Sequence, residues 1–201
     1  MDAQTPDTQS PKHRGRLLGL AVELGVVTIG VLLALAFDQL REDWQQSAMA
    51  RASLHAIDEE LARNEKSIRD KVDYHEEAST RAFAALDTLD AGEAFVDAAW
   101  YRGFEVPVVQ EAAYLTALEI GVFARIDPPV SAIVTQAYLC QRVLDKIGDT
   151  YLVPLAETRR DQGQRFFNII GFALSNLVSQ DMQCLEDIAA ARTRLALLLD
   201  D

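Results

Sequence analysis

The stretch RLLGLAVELGVVTIGVLLALAFDQLRED, residues 16–43, decides how the rest of the chain is read. Residues 17–37 are apolar except for Glu23 and Thr28, and the run stops abruptly at Asp38. As a helix these 21 residues measure about 31 Å, which matches a hydrocarbon core about 30 Å thick. A run this long and apolar near the N-terminus predicts a membrane span rather than a buried soluble helix.

The flanks orient it. Lys12, Arg14 and Arg16 precede the run, whereas Asp38, Glu42 and Asp43 follow it with Arg41 as the one nearby cation. Basic flanks stay on the cytoplasmic side. The expected arrangement is a single-pass helix in a bacterial inner membrane, with a cytoplasmic N-terminus and a periplasmic C-terminal domain. Residues 1–16 read as a disordered cytoplasmic tail, 17–37 as the transmembrane helix and 38–201 as the extracytoplasmic domain. Trp44 fits an interfacial anchor, with burial in the domain as the other reading. Ala34-Leu35-Ala36 fits a signal-peptide cleavage site. Against cleavage, an h-region is shorter and lacks glutamate, and no Gly or Pro interrupts the chain between Gly30 and Gly92. An intact anchor is the expectation.

Glu23 then needs a reason, because a carboxylate in lipid is costly unless it is neutral, paired or turned toward protein. At helical spacing Gly19, Glu23, Gly30 and Ala34 share roughly one face, together with Val26. Small residues there permit close helix approach. This face is the predicted membrane-helix contact, for self-association or for another membrane protein. Snorkelling of Glu23 to the cytoplasmic interface is the alternative.

After residue 37 the chain carries 28 acidic residues against 16 basic ones, which accounts for the whole net charge of −12. Such a surface repels phosphate backbones, so no nucleic-acid partner is expected. The lipid bilayer is the expected partner, with self-association or a second membrane protein.

The bulk of the chain reads as helices. From Arg41 to Ala91 apolar residues recur at Leu54, Ile57, Leu61, Ile68, Val72, Ala82, Leu86 and Leu89, in steps of three, four and their sums. Asn64 and His75 fall on or near that stripe, where a solvated rim position, a ligand contact or a register-setting role would each suit them. Gly92 is the expected helix stop, and Asp97 to Gly103 could hold one helical turn. A second helix is expected over Val109–Arg125. A third is expected from the Asp127-Pro128-Pro129 start to Ile147, with Gly148 at its end. Pro154 should open a fourth over Leu155–Leu199, with Phe166, Ile169, Ile170, Ala173, Leu177, Ile188 and Leu195 as its stripe. The predicted fold is all-α: a transmembrane helix continuing into a largely antiparallel helical bundle.

No chemistry stands out. His13, His55 and His75 lack the Glu-x-x-His spacing of helical di-metal sites. Nucleophile-elbow, phosphate-loop and dinucleotide motifs are missing as well. No cofactor, metal or catalytic residue is assigned, and the chain is not expected to be an enzyme. Cys140 and Cys184 lie on the expected third and fourth helices. They are either a disulfide or two buried thiols.

Two segments carry a resemblance. ELGVVTIGVLLALAFDQLRED with the long charged helix after it, and AAYLTALEIGVFARIDPPV at 112–130 with Tyr114 and Gly121, resemble an uncharacterised family of bacterial single-pass membrane-anchored helical proteins. The resemblance covers about a quarter of the chain. It implies intact anchoring and a helical exterior, and it assigns no activity. The expected function is that of a membrane-anchored interaction or scaffold protein acting through a membrane or periplasmic partner. The alternative is a periplasmic ligand-sensing bundle that signals through a partner, with a pocket holding Asn64, His75 or Tyr114.

Overall fold

The computed structural model describes the backbone of residues 12–90 and 98–200, and the side chains of 23–90 and 98–200. Among them the chain is all-α. Helix α1 covers Lys12–Leu86, α2 Ala112–Glu119, α3 Pro128–Ala156 and α4 Gly163–Asp200, with a 3₁₀ turn at Val122–Ala124. The chain divides into two compact units, residues 1–49 and 50–201.

In the first unit, α1 is long and apolar enough to cross a membrane, and none of its apolar window is buried within the molecule. Leu24, Val26, Ile29, Leu33, Leu35 and Phe37 are all more than half exposed. Thr28 disposes of its hydroxyl inside the helix by donating to the Leu24 carbonyl at 2.8 Å. Residues Lys12–Arg16, expected in a tail, belong to α1. The rest of the expected tail, residues 1–11, lies outside the described residues.

The second unit is built on three long helices. Arg51 donates to the Leu199 carbonyl, Arg192 binds Asp58 and Glu65, and Ser79 donates to the Gly171 carbonyl. Ascending numbers on α1 meet descending numbers on α4, so those helices are antiparallel. Glu60 meets Tyr138 and Asn64 meets Gln141, so α3 runs parallel to α1. Helix α4 is antiparallel to α3 as well, through Gln136–Asp187 and Asn176–Tyr151. The bundle is largely antiparallel, as expected: α4 runs against both α1 and α3, and only α1 and α3 are parallel to one another. The connection between those two includes a non-helical strap over residues 101–111, which returns along α1.

Each long helix faces the core with residues in alternating steps of three and four. On α1 the buried positions include Leu54, Ile57, Leu61, Asn64, Ile68, His75, Ala78 and Ala82. On α3 they include Val130, Val134, Ala137, Gln141, Leu144 and Gly148, with Tyr138 and Cys140 buried beside them. On α4 the stripe is Leu174, Leu177, Asp181, Cys184, Ile188, Ala191 and Leu195. This is coiled-coil patterning, and it packs helices at shallow angles.

Several boundaries differ from expectation. Helix α1 stops at Leu86, and Gly92 and Asp97 lie outside the described residues. The helix expected over 109–125 shrinks to eight residues, because Gly121 adopts φ 74° and breaks it before the 3₁₀ turn. Asp127 starts α3, yet its side chain makes no cap bond. The N2 position that would donate is Pro129, and the Val130 N–H goes to the Asp127 carbonyl. Helix α3 passes through both Gly148 and Pro154 and ends only at Ala156. Thr158 then donates its hydroxyl to the Pro154 carbonyl. Gly148 is a contact residue rather than a stop: a Cβ there would lie 2.7 Å from Val106 Cγ2 of the strap.

Cys140 of α3 and Cys184 of α4 are bridged, with Cα atoms 5.4 Å apart and a sequence separation of 44. A loop of that size corresponds to about 4 kcal/mol in the chain-entropy account.

Gly148→Val is expected to lower the unfolding free energy by about 1–3 kcal/mol through overpacking against the strap. Val106→Ala in the same chain should recover part of the loss. A urea double-mutant cycle checks this, and strictly additive effects would refute the contact.

Candidate functional site

Two places carry unusual chemistry: the open apolar helix and a polar seam inside the bundle. On the helix, Glu23, Gly30 and Ala34 of the predicted contact face lie exposed on α1. A Cβ added at Gly25 or Gly30 meets nothing within 4 Å. Gly19 lies outside the residues whose side chains are described. Trp44 is 83% exposed, which removes the reading in which it is buried in a core.

The seam forms where α1 meets the strap. A segment with neither helix nor sheet partners must satisfy its backbone groups by other means. Here α1 side chains do so. The Tyr74 hydroxyl donates to the Gly103 carbonyl at 2.6 Å and accepts from the Arg102 N–H at 2.9 Å. His75 Nε2 lies 2.8 Å from the Phe104 carbonyl. Asn64 accepts the Gln110 N–H at 2.9 Å and donates to its carbonyl at 2.7 Å, which imitates one rung of a sheet. Glu60 accepts the N–H groups of Ala113 at 2.9 Å and Tyr114 at 3.4 Å. That carboxylate caps α2 from another helix, where Glu111 at the N-cap makes no side-chain cap bond.

Charged contacts extend the clamp. Lys71 binds Glu105 at 2.8 Å, and Arg102 approaches it at 3.2 Å while its guanidinium lies 4.4 Å from the centre of the Tyr74 ring. The Lys71 hydrogen bond leads in holding the Glu105 carboxyl below its usual range. These bonds hold Glu105 at φ 44°, an uncommon conformation for a residue with a Cβ.

The three residues expected in a ligand pocket are all interior. Asn64 is 1%, His75 0% and Tyr114 6% exposed, so the rim reading of Asn64 and His75 is corrected. Nor do they converge. Asn64 and Tyr114 share one layer with Glu60, Tyr138 and Gln141. Asn64 donates to Gln141 at 2.8 Å, Tyr138 donates to Glu60 at 2.8 Å, and the Tyr114 and Tyr138 rings stack at 4.3 Å. His75 lies 11 residues further along α1, about 16 Å away, bonded to Asp181 of α4 at 2.6 Å. Two hollows on this unit, of about 320 and 390 Å³, are lined by other residues.

Glu60, Tyr138, Gln141 and Asp181 were not singled out from the sequence. Gln141 and Asp181 had a signal, since each occupies one core position of an otherwise apolar stripe. Glu60 had none, because it stands beside the core stripe on a helix rich in acids. Burial and the adjacent Glu60 carboxylate push the Tyr138 phenol up. Burial also raises the Asp181 carboxyl, against the pull of His75.

The seam is occupied by structural bonds. Ser79, one turn beyond His75, donates to the Gly171 carbonyl, and both His75 ring nitrogens are engaged elsewhere. No nucleophile–base pair results. Among the described residues, no group of three or more His, Cys, Asp or Glu is placed to hold a metal.

Asn64→Leu is expected to cost about 1–3 kcal/mol, because it strands the Gln110 N–H and carbonyl. Urea unfolding, with amide exchange at Gln110, checks both the magnitude and the place.

A second expectation concerns acid. Arg69 first, and then Arg192, hold the Glu65 carboxyl below its usual 4.5. A depressed carboxylate stabilises the fold fully above that usual value and loses its contribution as pH falls through the lowered one. The urea midpoint should therefore drop between pH 5 and 3. Arg192→Met, which lacks the bond to Glu65, should drop less over the same range.

No protein-family model matches the chain, and no curated protein or solved structure matches it either.

Proposed function

We propose that the chain is a membrane-anchored helical interaction protein: a single-pass protein of a bacterial inner membrane, N-terminus inside, whose helical domain works in the periplasm through a membrane or periplasmic partner. One observation carries this. The apolar part of α1 is wholly exposed, while the second unit closes its own core from Leu54 onward. An apolar surface of that extent requires a covering phase, and lipid suits its length. Basic residues before it and acidic residues after it favour the stated orientation. The Cys140–Cys184 bridge suits an oxidising compartment. The open face at Glu23, Gly30 and Ala34 is the proposed contact with a second copy or another membrane helix.

A ligand sensor would need Asn64, His75 or Tyr114 to face a cavity. All three are committed to bonds within the bundle, which favours the interaction role.

The expected outcome is that the full chain stays with membranes through a carbonate wash and leaves them only in detergent. A C-terminal reporter active only outside the cytoplasm should be active. Release by carbonate, or activity of a cytosol-only reporter at that end, refutes the proposal. Glu23→Leu should reduce oligomer size or partner recovery in mild detergent.

A further inference from the structure

We propose that His75 and Asp181 form a proton-operated latch: one shared proton closes the bond from α4 through α1 to the strap, and its loss on the alkaline side loosens the strap.

The geometry sets the proton count. A carbonyl oxygen only accepts, so the bond to the Phe104 carbonyl requires a proton on His75 Nε2. On the other side Nδ1 lies 2.6 Å from Asp181 Oδ2, with both residues 0% exposed. One proton must lie between those two atoms. It sits either on Nδ1 facing a carboxylate or on the carboxyl facing a neutral ring. Both forms are neutral overall. Without the proton, a ring lone pair would face a buried carboxylate. With a second proton, the buried pair would become a cation. The other Asp181 oxygen, Oδ1, is buried and has no hydrogen-bond donor among the described residues, and a buried charge without partners is costly.

The surroundings leave the pair as the titrating element. From α1 the Tyr74 ring lies 5.7 Å from that of His75, from the strap Glu105 interacts with His75 while bound to Lys71 and Arg102, and on α3 Tyr151 meets the Phe104 ring at 6.4 Å. Lys71 and Glu105 neutralise one another as an ion pair. Burial pushes the Tyr74 phenol up, away from the neutral range.

The sign follows from counting protons. In an unfolded chain a carboxylate titrates near pH ~4 and an imidazole near ~6.5. Between those values the unfolded chain holds one proton on these two residues, as the folded pair does, and stability is insensitive to pH. Above about 6.5 the unfolded chain holds none while the folded pair holds one. Stability then falls as pH rises, by up to about tenfold in the folding constant per pH unit. The direction agrees with the raised Asp181 carboxyl, whose favourable contribution is lost as pH rises.

Asp181→Asn inverts the slope. Its amide donates to Nδ1 and keeps a neutral ring bonded to Phe104. That folded state binds no titrating proton, whereas the unfolded chain gains one below about 6.5. The variant should therefore weaken toward acid, where wild type does not.

The test is urea unfolding of the full chain in a non-ionic detergent from pH 5 to 8, with hydrogen-exchange protection read at residues 101–111. The wild-type folding constant relative to Asp181→Asn should fall by up to about tenfold per pH unit as pH rises. Strap protection should move the same way. A ratio constant with pH overturns the latch. Should Asp181→Asn fail to fold, the double variant His75→Leu/Asp181→Leu removes both titrations without leaving half a pair. Against it, wild type should be level to about pH 6.5 and fall beyond; a ratio level throughout overturns the latch equally.

Discussion

The second unit depends on how an extended segment is held inside a helical bundle. Residues 101–111 have no ladder of their own, yet Phe104 is only 6% exposed. Unpaired backbone groups at that depth are costly. Tyr74, His75, Asn64 and Glu60 remove the cost for the strap and the start of α2 by bonding main-chain atoms of residues 102–114. The helix thereby acts as the strap's missing sheet partner. The opposite wall answers sterically: α3 carries no side chain at Gly148, where Val106 sits.

The same residues also fix how the long helices align. Polar groups at core positions of a heptad pattern stabilise less than leucine would, but they penalise a slipped register by leaving partners unmatched. Asn64 with Gln141 aligns α1 with α3, and His75 with Asp181 aligns α1 with α4. The Cys140–Cys184 bridge joins α3 to α4. Each pair of long helices thus has its own tie. Arg192, reaching both Asp58 and Glu65, adds a partly exposed one between α1 and α4.

The two units use apolar residues for opposite ends. In the second unit a core of buried apolar residues is shared among four helices and the strap. Those of the first unit, from Leu24 to Phe37, surround the helix and are exposed among the described residues. Only an apolar surrounding or another protein satisfies that arrangement, which is why location and partnership, rather than chemistry at a cleft, form the functional proposal.

Helix content, the apolar run at 17–37 and most of the core stripes were legible in the sequence, because each depends on local periodicity and propensity. Leu54, Ile57, Leu61 and Ile68 are buried where their spacing placed them. Helix ends were less legible. Gly148 and Pro154 are breakers by local rule, yet α3 runs through both. Tertiary packing overrides a local preference worth about 1 kcal/mol for Gly and 3 for Pro. The pairings of the polar seam were not legible. Asn64 and His75 stood out by type, but whether each met solvent, ligand or another side chain depended on residues tens of positions away. Gln110 and Gln141 answer Asn64; Phe104 and Asp181 answer His75. Periodicity along one helix is a local property, so the sequence by itself determined which faces are apolar. Hydrogen-bond pairing between distant segments is a property of three-dimensional packing, so only the tertiary structure decided which polar residues are buried and what they hold in place.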